Sequence, residues 1–475
     1  MSSVFRCVPK VRLLAASLIL GLPVYGHAQE AEDVERKGSS VLDVVTVTAE
    51  RREEAEKDVP VSITTVSDEK LDVIASGGSD IRFLSSRLPS LNIESSFGRA
   101  FPRFYIRGLG NTDFDLNASQ PVSLIYDEVV QESPLLKGFP VFDLDRIEML
   151  RGPQGTLFGR NTPAGVIKFE SVKPSQETSG YARLGYGSYG TTTFEGAIGG
   201  ALGPAWSARV SGLYQHRDDW VDNTYTGENN ALEGYDESAI RAQFLYDPGE
   251  NFDALFNVHA RRLDGSARLF RANIIKPGSN DLVDDFERDE IAIDGRNSSH
   301  LDTEGASARL RWDFGSMSLF SVTGYESAES FNQGDIDGGF GASYAPPFGP
   351  GFIPFSSESA DGLPDHSQWS QELRLASNDW GRFDWQGGLY LYREKITIDS
   401  FSYDTLAGSI ENGYAQQKQD NKAWAAFVSG DYEASDQLTL KGGLRYSRDN
   451  KDFEVSRYVS PIGGDPLGPL TVSPS

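Results

Sequence analysis

From Tyr181 onward, apolar and polar residues alternate with a period of two. Ala306, Ala308, Leu310, Trp312 and Phe314 are separated by Ser307, Arg309, Arg311 and Asp313. Phe252, Ala254, Phe256, Val258 and Ala260 alternate in the same way with Asp253, Asn257, His259 and Arg261. Phe383, Trp385, Leu389 and Leu391 repeat the pattern, as do Leu438, Leu440, Leu444 and Tyr446. Each run predicts a strand with one apolar and one polar face, which suits both a soluble sandwich and a transmembrane barrel. Three features favour the barrel. The strands run about ten to fourteen residues, longer than the usual five or six. All seven tryptophans lie beyond residue 180, many near strand ends, where an aromatic girdle would sit. The connections alternate between short ones (Gly203-Pro204, Pro248 to Glu250, Gly315-Ser316, Asn378 to Gly381, Ser435-Asp436) and long ones near 219–236, 268–303, 331–367 and 398–421. Only the hairpin around Gly187 to Gly190 departs from this order. About eleven strands are expected before Ser475, whereas single-chain bacterial barrels have an even number and plugged transporters about 22. The last ten residues hold three prolines and read as loop. The expected barrel is therefore incomplete, an N-terminal half with two unpaired edges, and reads as a fragment or a prematurely ended product that cannot transport as it stands.

The pattern before Tyr181 is different. Residues 58–175 read as a compact α/β unit. Pro60 to Val66 alternates as a strand. Ser67-Asp68-Glu69 and Ser79-Asp80 are helix starts, the second followed by Ile81, Leu84 and Leu88 before Pro89. Leu91 to Ile93, Phe104 to Gly108 and Val122 to Val130 are expected strands, and Val141 to Leu150 a short helix or strand. Upstream, Arg6, Lys10 and Arg12 precede an apolar run from Leu13 to Val24 and a small-x-small site at Gly26 and Ala28. Residues 1–28 thus read as a secretory signal peptide, which carries away Cys7, the single cysteine. Residues 29–57 form a tether that begins polar and unpatterned. It ends in the β-branched run Val41 to Ala49, a strand-former that could pair with a partner's sheet or with its own domain's.

Composition narrows the function. A net charge of −25 over 475 residues leaves no basic face for nucleic acid. Mean hydropathy is −0.39, and no long uncharged apolar run follows residue 28, so no spanning helix is expected while spanning strands are allowed. Gly185 to Gly190 matches G-x-G-x-x-G, but a strand follows it instead of a helix, so it reads as a hairpin tip. The five histidines (His27, His216, His259, His300 and His366) show no metal-ligand spacing, and His259 should face the lumen as a solvated residue. Asp281 to Glu290 reads as a solvated acidic loop or, less simply, a cation site. No catalytic arrangement, metal site or cofactor is expected; an exported β-rich enzyme would instead be soluble.

One stretch, Asp145 to Phe169, carries further information. Gly152, Gly155, Gly159 and Gly165 fall within fourteen positions, interleaved with Pro153 and Pro163. This spacing calls for tight turns and positive φ angles. Arg151-Gly152-Pro153-Gln154-Gly155-Thr156-Leu157-Phe158-Gly159-Arg160-Asn161, followed by Gly165-Val166-Ile167, resembles the end of the plug domain of TonB-dependent outer-membrane receptors. Ile106-Arg107-Gly108 and Ile125-Tyr126-Asp127 resemble that family at their own places, so the likeness covers roughly residues 43–170. It implies a small α/β plug inside an antiparallel transmembrane β-barrel in the bacterial outer membrane, facing lipid and lipopolysaccharide. The run Val44, Val45, Thr46, Val47, Thr48 and Ala49 resembles the TonB box, which the inner-membrane protein TonB grips from the periplasm. The short tether leaves no room for an extra N-terminal signalling domain. The resemblance further implies energised uptake of a ligand held by external loops and plug apices, expected at Ser95 to Arg103 and Gly110 to Ser119. Arg99, Phe101, Phe114 and Asp115 are candidate ligand contacts there, unless they serve only loop packing. Arg107, Arg151 and Arg160 are expected to pair with plug or barrel carboxylates. A ferric siderophore is the commonest ligand class that the family implies. Cobalamin, a saccharide or an aromatic compound stay open, as does a surface receptor that transports nothing.

Overall fold

The computed structural model describes residues 46–472, apart from 49, 53, 68–69, 72, 74–79, 86, 96, 114, 340–356, 379, 405–409 and 458–469. The signal peptide, most of the tether, and Val44, Val45, Ala49 and Phe114 lie outside the described residues.

Nine short strands make the N-terminal part: β1 Thr46–Val47, β2 Glu54–Ala55, β3 Ser62–Ser67, β4 Leu91–Ser95, β5 Pro102–Ile106, β6 Val122–Tyr126, β7 Val129–Gln131, β8 Leu144–Arg151 and β9 Gly165–Ser171. A mixed sheet has the order β3-β8-β9-β6-β7, with β6 and β9 parallel. Ile147, Met149, Ile167 and Phe169 pack on one face against Leu84, Leu88 and Phe104. Leu150, Val166, Ile125 and Val130 pack on the other against Val47, Val59 and Phe158. Both faces are covered, so β8 and β9 lack the simple alternation of a half-exposed strand.

The run Val122 to Val130, expected as one strand, is a hairpin. Asp127 and Glu128 take positive φ angles of 44° and 70°, the geometry of a tight two-residue turn. The Asp127 carboxylate accepts from the backbone N–H and hydroxyl of Ser171, which fixes the turn against β9. The helix expected after Asp80 is only a tight turn, Ile81–Leu84, capped by the Asp80 carboxylate on the Arg82 N–H.

A single antiparallel meander of twelve strands follows. Its members are β10 Ser179–Tyr186, β11 Thr192–Gly203, β12 Trp206–Arg217, β15 Tyr235–Tyr246, β16 Phe252–Gly265, β18 Ser298–Asp313, β19 Met317–Asp335, β20 Ser357–Ser377, β21 Phe383–Asp404, β22 Ile410–Ser435, β23 Leu438–Arg457 and β24 Leu470–Val472. Between them, β13 Val221–Asn223, β14 Glu228–Leu232 and β17 Glu290–Ile291 form a separate three-stranded sheet. This sheet joins two of the long connections around Val221, Leu232, Ile291 and Ile293. Most of the acidic run 281–290 is solvent-exposed beside it.

Burial decides between sandwich and barrel, because it is inverted. Leu184 is 82% exposed and Ile198 67%, whereas Arg241 and Gln243 are each 1% exposed. Apolar side chains point outward along strand after strand, and polar ones point inward onto the N-terminal sheet, as a barrel wall in lipid requires. No helix among the described residues is long and apolar enough to cross a membrane. The upper strands are longer than the apolar pattern indicates: β21 has 22 residues and β22 has 26. Much of the expected loops 331–367 and 398–421 is strand. Beyond the lipid-facing band the outward positions are polar, as at Arg393, Lys395 and Thr397, so pairing continues there without the alternation that would announce it.

Candidate functional site

The glycine-rich stretch leaves the sheet at Arg151, turns through Gly152, Pro153 and Gln154, and makes one helical turn, Gly155–Phe158. Gly159 ends the turn at φ 84°, where a Cβ would stand 2.8 Å from the Arg445 guanidinium on the wall. Only glycine combines that angle with that approach. Next to it, Arg160 reaches Glu132 at 3.3 Å and Asp449 of β23 at 3.0 Å. Arg160 therefore ties plug to wall through carboxylates, as expected. Arg151 instead donates to the Pro89 carbonyl, Ser90 and Thr64, and Arg107, in a turn with Gly108, donates to Ser62. Among the described residues neither meets a carboxylate. Their role is to join the β4 entry to the central sheet. Gly165 opens β9, paired with Val122 and Arg151.

The β1–β2 hairpin is held from two sides. On the plug side, Glu148 accepts from the Thr48 N–H at 2.8 Å, and the Lys168 ammonium donates to the Thr48 carbonyl at 3.0 Å. Burial opposes ionisation of Glu148, but Lys168 and Arg146 outweigh it and hold its carboxyl below the usual range. On the wall side, Arg51 pairs with Glu372 at 2.7 Å, Arg374 donates to the Arg51 carbonyl at 3.0 Å, and Lys441 meets Glu50 at 2.5 Å. A cavity of about 760 Å³ lies between hairpin and wall, bounded by Arg51, Arg52, Glu128, Arg309, Arg374 and Asp384. It opens at the end of the wall that carries the short turns. Glu128 reaches into it; burial would raise its carboxyl, but Arg309 and Arg374 bring it down to about 2.

The candidate ligand contacts separate. Phe101 is fully buried, packed with Leu135, Leu263 and Leu301. Arg99 is engaged by Asp80 at 3.2 Å and Glu237 at 2.5 Å, and its guanidinium lies over the Tyr235 ring. Arg99 thus fastens the plug to β15, and Phe101 packs it against β16 and β18. Asp115 is exposed on its loop, with its carboxyl raised by partial burial and by Asp113. His259 is packed rather than solvated: it meets Glu326 at 3.0 Å and the edge of Phe139. Sequence reasoning missed Glu128, Glu372 and Arg374; the last two lie more than 300 positions from the hairpin that they hold.

Two acidic triads bring carboxylates within 4.8 Å of one another, Glu50–Glu54–Asp431 and Asp294–Asp335–Asp337. The Lys441 ammonium lies within 4 Å of all three carboxylates of the first. In the second, Asp335 accepts backbone N–H groups of Gly295 and Asp337.

Residues 55–166 match the family model "TonB-dependent Receptor Plug Domain". The chain is 23% identical over 239 residues to the vitamin B12 transporter BtuB of Vibrio vulnificus, covering 49% of this chain and 36% of BtuB. It is 31% identical over 167 residues to the pesticin receptor of Yersinia pestis, covering 35% and 23%. The chain thus spans well under half the length of these curated relatives. Among solved structures, the ferric yersiniabactin uptake receptor FyuA from Yersinia pestis superposes with a TM-score of 0.71 at 20% identity, over 87% of this chain and 60% of FyuA. The ferric-catecholate import receptor Fiu from E. coli K12 gives 0.65 at 15% identity, over 88% and 65%. These likenesses concern the fold.

Proposed function

We propose that this chain is a TonB-dependent receptor of the outer membrane that serves energised uptake of a scarce ligand, with a ferric siderophore as that ligand; the plug-domain match over residues 55–166 and the barrel fold support this reading. The observation that carries this reading is the β1–β2 hairpin. It follows directly on the β-branched run at Val44 and Val45, and it is fastened both to the central plug sheet through Glu148 and Lys168 and to the wall through Arg51 and Glu50. A strand added by TonB at Val44 to Ala49 would pull on that double attachment. Detaching the hairpin would open the 760 Å³ cavity behind it. The work comes from the inner-membrane proton gradient, delivered through TonB. The siderophore reading draws on the names of FyuA and Fiu; BtuB favours cobalamin as the second reading.

Val45→Pro tests the coupling, because proline cannot give its N–H to an added strand. In iron-limited cells carrying the gene, the variant should keep surface binding of radioiron-labelled siderophore and lose its accumulation. Accumulation equal to that of the unaltered protein would sink the TonB reading and favour a surface receptor that transports nothing. Accumulation of labelled cyanocobalamin in place of radioiron would overturn the siderophore and keep the transporter.

A further inference from the structure

Arg241 is a buried cation of the plug–wall contact that meets no carboxylate among the described residues. It points inward from β15, is 1% exposed, and is the bulkiest fully buried side chain described. One terminal nitrogen donates to the Asp143 carbonyl at 3.3 Å and the other to the Tyr126 hydroxyl, while Nε has no acceptor. The guanidinium lies instead over three plug rings, Phe142 at 4.9 Å, Tyr126 at 5.0 Å and Phe139 at 5.9 Å. The charged groups around it are engaged elsewhere. The Asp143 carboxylate holds Arg209, and Asp127 accepts from Ser171 and Asn257. His259, opposite Arg241 in the register, meets Glu326, and Glu237, two inward positions along β15, is shared by Arg99 and Arg261. The other buried arginines of the wall differ: Arg209 pairs with Asp143, Arg261 with Glu237, and Arg374 with Glu372 and Glu128.

We propose that Arg241 is a release element of the plug: the seated plug carries an uncompensated charge at this point, and residues 126–143 part from β15 more readily because of it. Taking a guanidinium out of water is costly, and rings, a carbonyl and a hydroxyl offset less of that cost than a carboxylate would. The cost falls on the seated state alone, since each of those rings and acceptors belongs to the plug. Moving residues 126–143 away lets water reach the guanidinium. The ion pairs nearby act in the opposite sense, because separating Arg209 from Asp143, or Arg309 from Glu128, breaks a charge pair. Apolar packing holds the cage shut: Phe139 and Phe142 lie against Leu213 and Ala239 of the wall, with Tyr126 beside them. Packing therefore closes this edge of the plug against a standing electrostatic bias to open.

The test uses the full chain in detergent micelles, with folding checked by its heat-dependent gel mobility and local opening followed by hydrogen exchange with mass spectrometry. Arg241→Met/Tyr126→Phe removes the cation together with the hydroxyl bonded to it, and the Asp143 carbonyl keeps the Val172 N–H. Exchange at residues 126–143 should slow by at least about fivefold, the low end of the gain from replacing a buried ion by apolar groups, while residues 62–67 exchange as before. Ser211, 2% exposed and opposite Arg241 on β12, offers a second test. Ser211→Asp sets a carboxylate beside the unpaired charge and should also slow exchange there; Ser211→Asn, without the charge, should not. A cation already satisfied by its cage would give the reverse, faster exchange in the double variant and in Ser211→Asp. Faster or equal exchange in either of these two would overturn the proposal, as would failure of both to fold while Ser211→Asn folds normally. The proposal concerns how the plug is seated and not what is carried, so it and the uptake reading can fail separately.

Discussion

Lys137 shows how much a single residue can weigh in this plug. It is 1% exposed, and its ammonium donates to the Val122 carbonyl at 3.0 Å. Burial brings its pKa from 10.5 down to about 8. The folded amine therefore releases its proton first, and the unfolded chain holds more protons between about pH 8 and 10.5. Stability should rise with pH across that window, by on the order of 3 kcal/mol from this group alone. Lys137→Met should lack that rise. The check is the unfolding midpoint against pH for both proteins, where equal slopes would refute the assignment. Nothing in the sequence around Leu135-Leu136-Lys137 marks the lysine as buried. The requirement for glycine at 159 was legible, because dense glycine signals positive φ, yet its neighbour Arg445 was not.

Elements meet here through polar side chains, since the barrel turns its polar face inward. Asp143, just before β8, takes a two-point contact from Arg209 of β12, the closest at 2.5 Å, and both are almost fully buried. Asp127 at the β6–β7 turn accepts from Asn257 at 3.1 Å, and Gln368 donates to the Val130 carbonyl at 2.6 Å. Gly324 of β19 faces the same hairpin so closely that a Cβ would lie 2.5 Å from Val129. Asp143→Ala leaves the Arg209 guanidinium buried and unpaired, which should cost roughly 3–5 kcal/mol. Limited proteolysis should then cut the plug faster while the strands keep their heat-dependent gel mobility; an unchanged rate would remove this pair from the anchoring set. The strands themselves could be read from periodicity. Their anchoring partners could not, because pairing between segments a hundred residues apart leaves no local signal.

At the scale of the molecule, the acid response follows from two plug carboxylates. Burial opposes charge on Asp80, but Arg99 and Arg82 outweigh it and hold the group at about 2, as Arg309 and Arg374 hold Glu128. A carboxylate with a lowered folded pKa adds stability above its unfolded value, near 4, and loses it as pH falls toward 2. Arg99, Arg309 and Arg374 also bind the plug to the wall, through Glu237 and Glu128. Plug seating should therefore be insensitive to pH from 8 to about 4.5 and fail between about 4.5 and 2. Protease access to the plug, measured across that range, provides the check. Loosening already between pH 8 and 5 would point to other groups.

The sequence by itself determined the period-two wall, the outward aromatic and apolar belt, the change of pattern before Tyr181 and the turn-forming role of the glycine-rich motif. These depend on residues close together in the chain, where backbone sterics and face alternation act directly. Only the tertiary structure decided that Phe101 and Arg99 fasten the plug, that Val122 to Val130 bends into a hairpin, and that Thr46 to Ala55 lies folded against both plug and wall. Those outcomes turn on which charges are desolvated together, and desolvation is a property of the packed molecule and not of any stretch of its chain.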